Sequence, residues 1–76
     1  MDELLEVLDS VKPDVDFANE TALVDGGVLN SFDLVMIVGE LQDHYDITIP
    51  ADEILPEHFN SAEAILDLIE DIQDRI

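Results

Sequence analysis

Residues 28–34, VLNSFDL, decide the fold, because a long connection becomes an apolar helix within them. A Gly-Gly pair at 26–27 precedes the segment and interrupts regular structure. Asn30 is a favourable N-cap residue, and Asp33, three places later, completes a short form of the capping box. Ser31 therefore belongs to the first helical turn, where backbone N–H groups lack partners and the helix dipole is positive. A phosphate group attached to Ser31 would be stabilised there.

Charge limits the possible partners of the chain. The sequence has twenty acidic residues and two basic ones, Lys12 and Arg75, so its formal net charge is −18. Nucleic acid and anionic membrane surfaces would repel such a protein, whereas basic protein surfaces would attract it. Because 47% of the residues are hydrophobic and recur at helical spacing, we expect a packed core and not a disordered chain.

Length and composition predict a small cytoplasmic monomer. The 76 residues are enough for one domain, spanning 1–76. No apolar run approaches ~18 residues, so no membrane insertion is expected. The sequence contains no cysteine, which excludes disulfides and cysteine metal sites and suits a reducing compartment.

Apolar periodicity predicts an all-α fold, a four-helix bundle of three longer helices and one short one. We expect the first helix over residues 2–11, the second over 30–45, and a short helical turn over 51–55 that Pro56 closes. The last helix should open at residues 60–61, with Glu63 positioned for the cap. Its expected apolar face consists of Ile65, Leu66, Leu68, Ile69, Ile72 and Ile76.

The second helix is more apolar than one buried face requires. It either lies at the centre of the bundle or exposes part of its surface for docking. Gly39 within it costs roughly 1 kcal/mol relative to alanine and suggests a close approach. The expected stripe is Leu34, Val35, Val38, Leu41 and Tyr45, with Phe32, Met36, Ile37 and Gly39 on other sides.

Connections should also contribute to the core. The long connection over residues 13–29 carries apolar anchors, and the extended connector over 47–50 should bury both of its isoleucines. The anchors are Phe17, Leu23, Val28 and Leu29, and the expected helical core is Leu8, Leu34, Val38, Leu41, Ile65 and Ile69.

The residues alone give little support for catalysis or metal binding. A first-turn serine usually has a structural role, and neither His44 nor His58 has a spacing that suggests a catalytic triad with Ser31. Residues 14–25 differ from a calcium loop, because Asn19 stands where the EF-hand requires glycine. We expect neither a metal site nor enzymatic activity, and only diffuse association of divalent ions with the acids.

Residues 26–50, GGVLNSFDLVMIVGELQDHYDITIP, resemble the acyl carrier and peptidyl carrier protein family. That family has a glycine-containing loop, an Asp-Ser-Leu-type motif, an apolar helix and a connector similar to I-x-I-P. Residues 56–69, PEHFNSAEAILDLI, are similar to its last loop and helix, so the resemblance covers nearly the whole chain. The sequence is similar to the family as a whole without indicating a subtype, although peptide-synthetase and D-alanyl carriers look slightly closer.

The resemblance implies that Ser31 is the attachment site of 4′-phosphopantetheine. A phosphopantetheinyl transferase would move this group from coenzyme A to the Ser31 hydroxyl. The arm would then carry an acyl or aminoacyl thioester between activating and transferring enzymes with basic docking patches. Because the chain lacks cysteine, the thiol must come from the arm. The expected partner contacts are Asn30, Phe32, Asp33, Met36, Glu40 and Asp43.

Three positions depart from the family pattern. Asn30 stands where the family usually has aspartate, Phe32 where it often has leucine, and Met36 where fatty-acid carriers often have an acid. These departures favour a more apolar partner face and a specialised carrier of amino acids or secondary products. The rival hypothesis is an unmodified acidic interaction module that binds a basic protein.

Overall fold

Four α-helices and one short 3-10 helix form the computed structural model, which describes residues 2–75. The helices are α1 (Asp2–Val11), α2 (Ser31–Tyr45), α3 (Pro56–Phe59) and α4 (Ala62–Asp74), and the 3-10 helix spans Ala51–Glu53. α1 packs chiefly on α2 and also touches α4, while α3 packs on α4. No strand occurs among these residues, and the predicted all-α four-helix bundle is confirmed.

The ends of the first two helices follow the local sequence signals. α1 ends at Val11, because Lys12 precedes a proline and is pushed out of the helical region. α2 ends at Tyr45, and its C-cap residue Asp46 adopts a left-handed conformation with φ of 54° and donates its N–H to the carbonyl of Gln42. None of the helices in the described part of the chain is long and apolar enough to cross a membrane.

The prediction for the short helical segment was wrong in its boundaries. The 3-10 helix covers only Ala51–Glu53, and Pro56 begins α3 where it was expected to close a helix. Proline suits the first helical position, because the N–H that it lacks would have no intrahelical partner there.

The cap of α4 was also partly mispredicted. Ser61 is the N-cap, and its hydroxyl accepts from the N–H of Ala64 over 3.1 Å. Glu63 lies at the second helical position, whereas a capping box requires the acid at the third.

The core contains most of the predicted residues. The structure buries five of the six expected helical core residues, and Leu34 is half-buried against them. The connection anchors Phe17, Leu23 and Leu29 are buried, Val28 is half-buried, and both isoleucines of the 47–50 connector are buried.

The stripe predicted for α2 needs one correction. Val35 is 69% exposed, while Ile37 is fully buried. Successive helical residues are rotated by about 100°, so Ile37 faces the core together with Leu41, and Val35 faces outward. Val7 of α1 joins the core unpredicted, and Ile76, expected on the apolar face of α4, lies outside the described residues.

An ion-pair cluster joins the end of α4 to the 3-10 helix. The Arg75 guanidinium donates to both carboxylate oxygens of Glu53, each over 2.6 Å, and also to Asp71. The hydrogen bonds from Arg75 lower the pKa of the Glu53 carboxyl below its usual value. This cluster connects two segments that are far apart in the sequence.

Candidate functional site

The beginning of α2 is fixed by two reciprocal hydrogen bonds. The Asn30 side chain accepts from the N–H of Asp33 over 2.8 Å, and the Asp33 carboxylate accepts from the N–H of Asn30 over 3.2 Å. The predicted capping box is therefore present, and it gives hydrogen-bond partners to two backbone N–H groups, those of Asn30 and Asp33, that would otherwise lack them.

Ser31 is the first residue of α2, and it is exposed. Because Asn30 already occupies the cap position, the Ser31 side chain is not required to cap the helix. Its hydroxyl lies in the first turn, where the helix dipole stabilises negative charge. A tether attached at this position would extend into solvent.

The Gly-Gly pair before the site is required by the backbone. Gly27 adopts a positive φ of 75°, a conformation that L-residues rarely adopt. A Cβ on Gly26 would lie 2.5 Å from the carbonyl oxygen of Ala22, which also accepts the N–H of Gly26. These two glycines permit the tight turn that leads the chain to Ser31.

The Asp33 side chain is buried and makes its contacts within the chain, so it is not part of the exposed surface. Its residue is 7% exposed, and its carboxylate lies 3.5 Å from the Lys12 ammonium in addition to its bond with Asn30. A half-buried cation thus balances the one buried acid beside Ser31. The structure provides no exposed Asp33 carboxylate for the partner contact that the sequence suggested.

Asn60 holds the loop that precedes the site. Its side-chain oxygen accepts from the N–H groups of Val24 and Asp25, each over 3.0 Å. The side-chain amide nitrogen of Asn60 donates to the Asp25 carboxylate over 3.0 Å, and its backbone carbonyl accepts from the N–H of Leu23 over 2.9 Å. Sequence reasoning missed this role, because the Asn60-Ser61 pair suggested only a helix cap.

An apolar surface follows Ser31 along α2. Phe32 is 71% exposed, and Val35 and Met36 are also exposed. These three residues and Gly39 recur at helical spacing, and we call them the α2 outer face. Of the predicted partner residues, Asn30, Phe32, Met36, Glu40 and Asp43 are exposed. Part of this helix is therefore an exposed apolar surface, while its Ile37, Val38 and Leu41 are buried in the core. Docking on that surface stays a prediction.

The histidines lie away from Ser31 in the chain, and His44 contacts a carboxylate. His44 is 3.2 Å from the Glu3 carboxylate and packs edge-on against Tyr45. Burial, with a smaller effect of Glu3, raises the pKa of the Tyr45 phenol. Among residues 2–75, no group of three or more His, Cys, Asp or Glu side chains is arranged to hold a metal ion.

Sequence comparisons found a family model and curated relatives that match this chain. Residues 2–69 match a family model described as "Phosphopantetheine attachment site". The chain is 33% identical to the D-alanyl carrier protein of Streptococcus mutans over 73 residues, which cover 95% of this chain and 92% of the relative. It is 29% identical, over the same shares, to the D-alanyl carrier protein of Streptococcus gordonii. No solved structure matches it significantly.

Proposed function

Because the chain belongs to the phosphopantetheine attachment-site family, we propose that it carries 4′-phosphopantetheine on Ser31 and shuttles an aminoacyl thioester between enzymes. The observation that carries this proposal is the exposure of Ser31 in the first turn of a helix that Asn30 and Asp33 already cap. The serine is therefore available for modification without loss of the helix.

Attachment requires a phosphopantetheinyl transferase. The Ser31 oxygen would form a bond to phosphorus while the P–O bond to the nucleotide half of coenzyme A breaks, and the serine proton would pass to a base of the transferase. The first turn of α2 would stabilise the resulting phosphodiester through its positive dipole end. Asn30 in place of the usual aspartate leaves one acid fewer beside the new negative charge.

The thiol that carries the cargo comes from the arm. The chain has no cysteine, and its role is to hold the arm, orient it and present it to other proteins. We assign no catalytic activity to the chain itself. A single domain over residues 1–76 and a cytoplasmic monomer stay predictions from the sequence.

The cargo we propose is an amino acid, D-alanine by analogy with the named relatives. The exposed apolar residues at the start of α2, with exposed acids only further along it, also fit a partner face that is more apolar than that of fatty-acid carriers. The docking surface consists of Phe32, Met36, Glu40 and Asp43, with Asn30 at its edge, and its partners present basic residues.

Intact-mass measurement tests attachment. Wild type incubated with coenzyme A, magnesium and a broad-specificity transferase should gain the mass of one phosphopantetheine, and Ser31→Ala should gain none. Ser10→Ala is the matched control, because it removes another exposed helical serine and should be modified like wild type. The absence of a mass gain with several transferases would contradict the proposal.

The rival hypothesis, an unmodified acidic module, makes the opposite prediction. If it holds, Ser31→Ala retains function, while reversal of charge at Glu40 and Asp43 abolishes binding to the basic partner.

Addition of D-alanine, ATP and an adenylate-forming ligase to the modified protein tests the cargo by a second mass gain.

A further inference from the structure

Gly39 lies in the middle of α2, where glycine is less favourable than almost any other residue. A Cβ built on Gly39 would have no atom within 4 Å, so packing inside the chain does not require glycine there. Its conformation is ordinary helix, in contrast to Gly27, whose positive φ does require glycine. The close approach that the sequence suggested at Gly39 is absent within the described residues.

The missing side chain affects the surface beside α1. Val35, Met36, Gly39 and Glu40 line a shallow groove of about 290 Å³ together with Ser10 and Val11 of α1. A side chain at position 39 would project from this groove into open space. It would therefore stand between the α2 outer face and any protein that approaches it.

Charge defines the chemistry of what fits here. Glu40 lines the groove and Asp43 follows one turn later, both exposed. Lys12 and Arg75, the two basic residues of the sequence, are each engaged with acids of the same chain. A protein that seats here must present an apolar side chain surrounded by basic residues.

We infer that Gly39 determines partner specificity, because it leaves room on the α2 outer face for an apolar side chain of the enzyme that acylates the arm. This inference rests on the proposed carrier function and adds to it the contact by which the aminoacylating enzyme is selected. Gly39 acts by leaving space, so any side chain placed there is unfavourable for loading even though it favours the helix.

Gly39→Leu separates the two effects. The substitution should raise Tm by about 4–8 °C, because leucine is a far better helix former and meets no clash. In the same protein, kcat/KM for transfer of D-alanine to the arm should fall about tenfold, mainly through KM, because the partner is held away. The probe enzyme is the D-alanine-activating ligase that serves the Streptococcus mutans carrier.

Gln73→Leu is the matched control. It also places an uncharged leucine at an exposed helical position, but on α4, which packs chiefly on α3. It should be loaded within about twofold of wild type. Both variants are first converted with coenzyme A and the transferase, and their mass gain shows that attachment at Ser31 is intact.

Each outcome decides the inference. A Gly39→Leu protein that is modified normally and loaded like wild type overturns it, and Gly39 is then a neutral position. Failure of the ligase to load modified wild type refutes this enzyme as the occupant, while the mass gain still supports the arm. Failure of attachment itself contradicts the carrier proposal and not the role of Gly39 alone.

Discussion

The capping box at the beginning of α2 should behave as one energetic unit. Asn30 and Asp33 each bond the backbone N–H of the other, over 2.8 Å for the bond to Asn30 oxygen and 3.2 Å for the bond to Asp33 oxygen. Removing either side chain loosens the same turn, which contains Ser31. We therefore expect the variants Asn30→Ala and Asp33→Ala, alone and combined, to be non-additive in their free energies of unfolding.

The structure sets the magnitudes. Loss of an N-cap side chain costs about 1 kcal/mol, which is the expectation for Asn30→Ala. Asp33→Ala should cost about 2 kcal/mol, because it removes a largely buried hydrogen bond and also leaves Lys12 without its partner at 3.5 Å. Once one partner is gone the turn is already frayed, so the double variant should lose about 2 kcal/mol instead of 3.

Urea unfolding followed by circular dichroism measures these values, and the modification rate with coenzyme A reports the state of the Ser31 turn. Ser61→Ala is the control. The Ser61 hydroxyl caps α4 by accepting from the N–H of Ala64 over 3.1 Å. Ala64, the third helical residue, has no polar side-chain atom that could accept from the N–H of Ser61 in turn. This variant should lose about 1 kcal/mol with unchanged modification of Ser31. Strictly additive losses for Asn30 and Asp33 would refute the reciprocal unit.

Three further outcomes are expected. Asn60→Ala should lower the free energy of unfolding by about 2 kcal/mol, because three side-chain hydrogen bonds to the loop disappear, and a urea-unfolding value like that of wild type would contradict this role. Addition of about 0.5 M NaCl or of millimolar magnesium should raise Tm, because salt screens the self-repulsion of a −18 chain, and an unchanged Tm would count against that repulsion. Wild type should be more stable than Glu53→Gln above the ordinary carboxyl pKa, and urea unfolding across pH should find the difference vanishing as the pH falls through the lowered pKa of Glu53.

The sequence was sufficient wherever one local signal decides the structure. Pro13 ended α1, Asn30 and Asp33 formed the cap, and β-branched Ile47 and Ile49 were buried as expected. Periodicity failed at Val35 and Ile37, because α2 carries apolar residues on nearly every side and the pattern alone does not select the buried one.

The sequence also did not predict the polar contacts between residues far apart in the chain. The bonds between the Asn60 side chain and the loop join residues 35 or 36 positions apart, and the Arg75 pair with Glu53 joins residues 22 apart. Helical periodicity contains no information about such pairs, since they form only after the helices have packed. The helix start that carries Ser31 was more predictable, because its capping box depends only on immediate neighbours, whereas the role of Ser31 stays a prediction.

A carrier must attract its partner enzymes over a distance and must also bind them specifically at short range. Different features of this chain would meet these two requirements. Attraction over distance comes from acids spread over the whole chain, so it speeds encounter with any basic enzyme and is screened by salt. Under the proposed function, contact at short range would come from a few exposed apolar residues on one helix, a surface small enough for rapid release. Charge alone would not distinguish one basic enzyme from another. Under the proposed function, selection among partners would come from the shape of the α2 outer face, where Gly39 leaves space that any other residue would fill.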